Sequence, residues 1–189
     1  SVGNTLESER TRLDNNRRKA QKEFTNLSAQ QREAVKDQKS KEKSYNKEVA
    51  KLRELSKRLS SASYSTATSD NLPVDGGRLQ RIARTSTVKI LGKKGATVRS
   101  NFEGEVLAIE YDSSNHKTVV VGNSRYLASY SRLGTINVKE GDKVSRDQKI
   151  GTVGIAIDHN GTESAYIQFT LIDLKNDAEV DAFKYFNAK

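Results

Sequence analysis

The 189-residue chain has no cysteine, no methionine, no tryptophan and a single proline, Pro73. Without thiols there are neither disulfides nor thiolate metal sites, and the redox compartment stays open. No stretch approaches the roughly 20 apolar residues that a membrane-spanning helix needs. Histidine is almost as scarce. His116 sits in a predicted hairpin connection and His159 in "IDHNGTES", and both read as solvated loop residues. There is no Ser–His–Asp arrangement and no glycine-rich phosphate loop. Asp158, Glu163 and Asp173 form no paired-carboxylate pattern. The chain starts at Ser1 and reads as a mature or truncated piece, with room for a targeting sequence upstream.

Charge is plentiful, at 30% of residues and a net +9, but it is unevenly spread. Residues 1–60 hold 16 Lys/Arg against 9 Asp/Glu, and the remainder 17 against 15. The positive residues of the first third are interleaved with acids and accompanied by few aromatics, which marks a solvated helix face rather than a nucleic-acid footprint. No nucleic-acid partner is expected.

From about Thr5 to Leu59 there is neither Pro nor Gly, and Lys, Arg, Glu, Gln and Asn dominate. That composition favours one long helix. Leu6, Leu13, Ala20, Leu27 and Ala34 recur every seven residues, joined by Phe24, and Tyr45, Val49, Leu52 and Leu59 resume the stripe. This is an imperfect heptad pattern. A helix of about 55 residues, roughly 80 Å long, cannot bury so narrow a stripe alone. The expectation is a coiled coil over 1–59, paired with an upstream helix or with another copy of the chain.

"SSASYSTATSDN", residues 60–71, is small and polar and reads as a flexible linker. After it come short β-branched runs separated by Gly, Asn and Asp turns. Strands are expected near 79–84, 87–91, 97–102, 104–111, 117–122, 125–130, 149–154 and 165–173. In "SAYIQFTLI", Ile167, Phe169 and Leu171 fall on one face and Tyr166, Gln168 and Thr170 on the other. Residues 72–189 are therefore expected to form one mainly-β antiparallel domain.

The most specific stretch is "INVKEGDKVSRDQKIGTVG", Ile136 to Gly154, with a Gly141–Asp142 turn and Val138, Val144, Ile150 and Val153 returning to a core. Its pattern resembles two families, the lipoyl/biotinyl carrier domain and the LytM-like, lysostaphin-type zinc endopeptidase domain. The surroundings favour the second. "GKKGATVRSNFEGEVLAI" resembles that family's early strands, "YLASYSRL" its Y-x-H-L strand, "SAYIQFTLI" its H-x-H strand and "AEVDAFKYF" its closing turn and short helix. A carrier domain would be shorter and would present a modifiable lysine on a hairpin tip.

What that resemblance implies is a zinc site held by H-x-G-x-D and by the second His of H-x-H, assisted by the first His of that pair and by the His of Y-x-H-L. Carried over position by position, those places hold Thr85, Lys89, Gln168, Tyr166 and Arg132. Catalytic zinc usually takes three nitrogen or oxygen donors with one position open. A lysine ammonium has no free lone pair, and arginine stays a cation. No metal or other cofactor is therefore expected, and the chain is expected not to be an enzyme.

A coiled coil followed by a LytM-like domain without zinc ligands resembles the EnvC-type amidase activators. The resemblance implies a non-catalytic periplasmic or extracytoplasmic envelope protein. Its groove, at Thr85, Lys89, Arg132, Tyr166 and Gln168, would bind and activate a peptidoglycan amidase. Its coil would join a membrane division complex. Two other readings stand beside this one: an active zinc endopeptidase with unrecognised ligands, and a structural protein that binds peptidoglycan itself.

Overall fold

A computed structural model describes residues 8–18, 47–59, 64–112 and 114–188. The chain divides into two units, residues 1–51 and 52–189. In the first, 8–18 are helical, and Arg12 and Glu9 form an exposed ion pair at 2.8 Å. Leu13 on that helix is 47% exposed. Leu6, Ala20, Phe24, Leu27, Ala34 and Tyr45, which carry most of the heptad pattern, lie outside the described residues. Among the described residues no helix is long and apolar enough to cross a membrane.

The second unit is an antiparallel sheet of eleven strands. In chain order they are β1 (Arg78–Arg81), β2 (Val88–Leu91), β3 (Thr97–Arg99), β4 (Gly104–Tyr111), β5 (Lys117–Gly122), β6 (Tyr126–Ile136), β7 (Lys143–Val144), β8 (Lys149–Val153), β9 (Ile155–Ile157), β10 (Glu163–Asp173) and β11 (Ala178–Val180), followed by a short helix, Ala182–Asn187. The main path runs β1-β2-β10-β6-β5-β4-β7, with β8 bridging β3 and β6. The mainly-β, antiparallel expectation for this region holds.

The alternation of β10 produces the expected two faces. Ile167, Phe169 and Leu171 are fully buried, and Phe169 meets Tyr130 and Phe186 at ring separations of 5.3 and 5.2 Å. Tyr130 is itself fully buried and its hydroxyl accepts the backbone N–H of Asn101 at 2.8 Å. Burial pushes its phenol well above the ordinary tyrosine value. The glycine-aspartate turn folds as its residues dictate. Gly141 takes φ +92°, open to glycine at no steric cost. Asp142 accepts the N–H of Lys139 at 2.8 Å, and Val138, Val144, Ile150 and Val153 are buried.

Two stretches differ from the sequence expectation. Residues 64–71, read as linker, pack on the sheet. Tyr64 and Ser69 are buried, and Thr68 makes a β-bridge to Phe102. An aromatic ring in an otherwise small, polar run supplies the burial that the run as a whole lacks. The helical residues 52–57 also belong to this unit. Ser56 is 0% exposed, and its hydroxyl donates to the carbonyl of Asn123 at 2.6 Å. Gly122 makes room for it, because a Cβ there would stand 2.4 Å from Ser56 Oγ. Lys57 adds an ion pair to Asp177 at 2.7 Å.

Ser56 marks which side of the sheet this helix end occupies. Gly122 pairs with Leu127, and Leu127 with Ile172. Side chains directly opposite one another share a face. Leu127, Ile172 and Val120 are buried there, yet they stand apart from the main core. The outward face of β10 thus begins polar at Tyr166 and ends apolar at Ile172, where Ser56 docks.

Candidate functional site

The polar end of that face gathers four of the five residues aligned with the zinc-site positions. Lys89 on β2 lies directly opposite Gln168 on β10, and Gln168 lies opposite Ser131 on β6. Opposed side chains in such a pair have Cβ atoms about 5 Å apart. Tyr166 stands two residues along β10, so its side chain shares the face of Gln168. The sheet order β2-β10-β6 places it between the other two strands.

A cation from each neighbouring strand reaches its ring. Lys89 Nζ is 4.6 Å from the Tyr166 ring centre, and Arg132 Cζ is 4.5 Å from it. Such contacts contribute about 0.5–1 kcal/mol each at exposed sites, so they hold the two cations on the ring more than they hold the fold together. Lys89, Arg132, Tyr166 and Gln168 are all half-buried. Ser129 and Thr170 continue the same face, and the Thr170 hydroxyl is 2.8 Å from that of Thr87.

Arg132 owes its place to a local irregularity. Its φ is +69°, in the left-handed region that costs a residue with a Cβ about 1–2 kcal/mol. The β6–β8 register shifts just beyond it, between Leu133 and Thr135. Its carbonyl accepts the N–H of Gly154 at 3.2 Å, and a Cβ on Gly154 would come within 2.8 Å of that oxygen. The glycine that closes the V-K-x-G-D motif therefore allows the backbone approach that sets Arg132 beside Tyr166.

Thr85 is not part of the cluster. It sits exposed in the β1–β2 turn, and its hydroxyl lies 3.1 Å from the carbonyls of both Ile82 and Thr87. The turn is short, and its own backbone occupies the side chain. His116 also departs from expectation. Its side chain is only 13% exposed, with Nε2 2.7 Å from the Ile155 carbonyl, joining the β4–β5 connection to β9. A histidine in a turn looks solvated in sequence, because nothing in its neighbourhood shows that β9, some forty residues later, will cover it. His159 is exposed. Asp112, 3.7 Å from His116 Nδ1, also accepts the N–H groups of Ser114 and His116. Its carboxyl lies below the usual aspartate range. Partial desolvation works against this, and is outweighed by those two N–H groups and by the charges of His116 and Arg132.

Tested against zinc, this donor set does not fit. An ammonium and a guanidinium flank the ring, Thr85 faces its own turn, and Gln168 is left as one neutral amide. Among the described residues no three His, Cys, Asp or Glu side chains converge on a point that could hold a metal ion. Ser129, Ser131 and Thr170 belong to the face but carry no motif. Only their alternation with buried residues in "LASYSRL" and "YIQFTLI" hints at them.

Residues 83–182 match the sequence profile of peptidase family M23. Among solved structures, a protein from Pseudomonas aeruginosa assigned to peptidase M23 superposes with a TM-score of 0.56 at 25% identity, covering 76% of this chain and 61% of that one. Lysostaphin superposes with a TM-score of 0.50 at 14% identity, over 65% of this chain and 56% of that one, and is similar in fold. The chain thus spans about three fifths of the length of the Pseudomonas protein. No curated protein matches it significantly.

Proposed function

The chain belongs to peptidase family M23, and from that premise we propose that it is a non-catalytic member whose groove binds and activates a peptidoglycan amidase in the cell envelope. The observation that carries this reading is the Lys89–Tyr166–Arg132 stack beside Gln168. Where the family's fold would collect metal donors, this chain collects hydrogen-bond donors and an aromatic ring. Tyrosine and arginine are enriched among the residues that anchor protein interfaces. The mechanism would be a population shift, in which the groove binds only the open form of the amidase and favours it by that difference in affinity. The coiled coil over 1–59 would connect the groove to a membrane division complex. Ordinary members of the family act on the cell wall, and this supports an extracytoplasmic role.

Two measurements test this. Purified protein is expected to hold no stoichiometric zinc and to release no muropeptides from cell wall. Zinc at one equivalent with such release would instead support the endopeptidase reading. Arg132→Glu is expected to abolish amidase capture and activation while leaving the thermal unfolding midpoint unchanged. An R132E protein that activates normally would remove this surface from the proposal. Capture of insoluble peptidoglycan without any amidase would favour the structural wall-binding reading.

A further inference from the structure

The groove reading says where a partner sits; the geometry also points to what the partner must bring, and this inference rests on that reading. We propose that Lys89 and Arg132, held on the Tyr166 ring, form a carboxylate site that accepts a glutamate or aspartate side chain from a partner protein's segment lying across β2, β10 and β6.

Three observations converge on it. First, both cations lie within 4.6 Å of one ring centre, one from each strand that flanks Tyr166. Two positive charges on one ring make its surroundings electropositive, which favours an incoming anion. Second, among the described residues neither has a carboxylate within ion-pair distance, whereas Arg81, Arg99 and Arg125 on the same sheet unit each hold an aspartate. Asp112 feels the charge of Arg132, but its Oδ1 already accepts the two N–H groups of its own turn and its Oδ2 lies 3.7 Å from His116 Nδ1. Third, the surroundings are rich in donors. Besides the ammonium and guanidinium there are the Tyr166 and Ser131 hydroxyls and the Gln168 amide. Such a set selects an acceptor, and a guanidinium suits a planar carboxylate well.

The test uses the full chain and a capped helical peptide carrying glutamates four residues apart, followed by NMR at the Arg132 Nε–Hε signal. The acidic peptide is expected to shift that signal saturably, and the glutamine version of the same peptide should not. Lys89→Gln and Arg132→Gln should each weaken binding about tenfold or more, the loss expected for one charge-assisted hydrogen bond. For R132Q the readout moves to the Gln168 side-chain amide. Tyr166→Phe should retain most of the affinity, because the ring remains, and Tyr166→Ala should lose it. Unchanged thermal midpoints show that the variants are folded. The proposal is overturned if the glutamine peptide binds as well as the acidic one, or if inorganic phosphate displaces the acidic peptide at equal concentration. Failure here is separable from failure of the groove reading. An amidase that K89Q and R132Q proteins capture and activate normally removes the carboxylate site and leaves the groove reading standing. A wild-type protein that activates no amidase removes the groove reading, while the peptide titration still decides the site.

Discussion

On the outward face of β6 and β10, Ile172 and Gln168 lie four residues apart on one strand and meet opposite fates. Ile172 pairs with Leu127, and both are buried at the end where Ser56 docks. Gln168 pairs with Ser131 and Lys89 and stays open, beside two cations stacked on a tyrosine. The strands are the same, so what differs is the covering. An apolar face left open would be a liability, and at this end Leu127, Ile172 and Val120 are buried, with Ser56 seated beside Gly122. A polar face needs no cover, and its side chains are free to meet something else. The comparison teaches that one end of this face stabilises the fold and the other is available for recognition.

The comparison can be broken from the covered end. Ile172→Ala should destabilise the β unit by about 2–5 kcal/mol, the usual loss for emptying a buried aliphatic position, as read by urea denaturation. Gly122→Ala comes next. Its new Cβ would meet Ser56 Oγ and a Leu107 methyl at 2.4 and 2.7 Å, and such overpacking costs about 1–3 kcal/mol. If both were silent, this end of the face would not be stabilising the fold. Asp173, bonded by Arg125 at 2.9 and 3.1 Å, gives a pH test at the same end. Its carboxyl lies below the usual aspartate value. Partial burial opposes this and is overcome by Arg125 and by the Lys175 N–H. A carboxyl lowered in the folded state contributes stability that is present above the unfolded pKa and is lost as pH falls through the folded one. Asp173→Asn should therefore flatten the loss of thermal stability below about pH 4. The open end sharpens the contrast. Gln168→Ala should change stability by less than about 0.5 kcal/mol in the same denaturation experiment, while reducing amidase capture. A large stability loss there would mean that the two ends are not different after all.

Much of this was legible in the residues. The period-two pattern of β10 gave both faces, and the turn motif gave the fold through Gly141 and the four valines and isoleucines around it. Seven of the eight expected strands lie within three residues of the observed ends. The eighth, expected at 125–130, continues to Ile136 across the left-handed step at Arg132, where it changes from pairing with β10 to pairing with β8. β7, β9 and β11 were missed because two or three residues carry no periodicity of their own. The gathering of Lys89, Arg132, Tyr166 and Gln168 followed from aligned positions. The two cation contacts on Tyr166 depend on side-chain geometry that no spacing encodes. Thr85 and His116 went astray for the same reason in opposite directions, one claimed by its own turn and the other covered by a distant strand. The coiled coil is a matter for the residues beyond those described.

Ser56 has a practical corollary. A fragment cut to begin at residue 72, where the sequence alone would draw the boundary, loses the seryl hydroxyl that donates to Asn123 and fills the space beside Gly122. Limited proteolysis should accordingly spare the chain around residues 52–59, and the smallest soluble, cooperatively melting piece should start before Leu52.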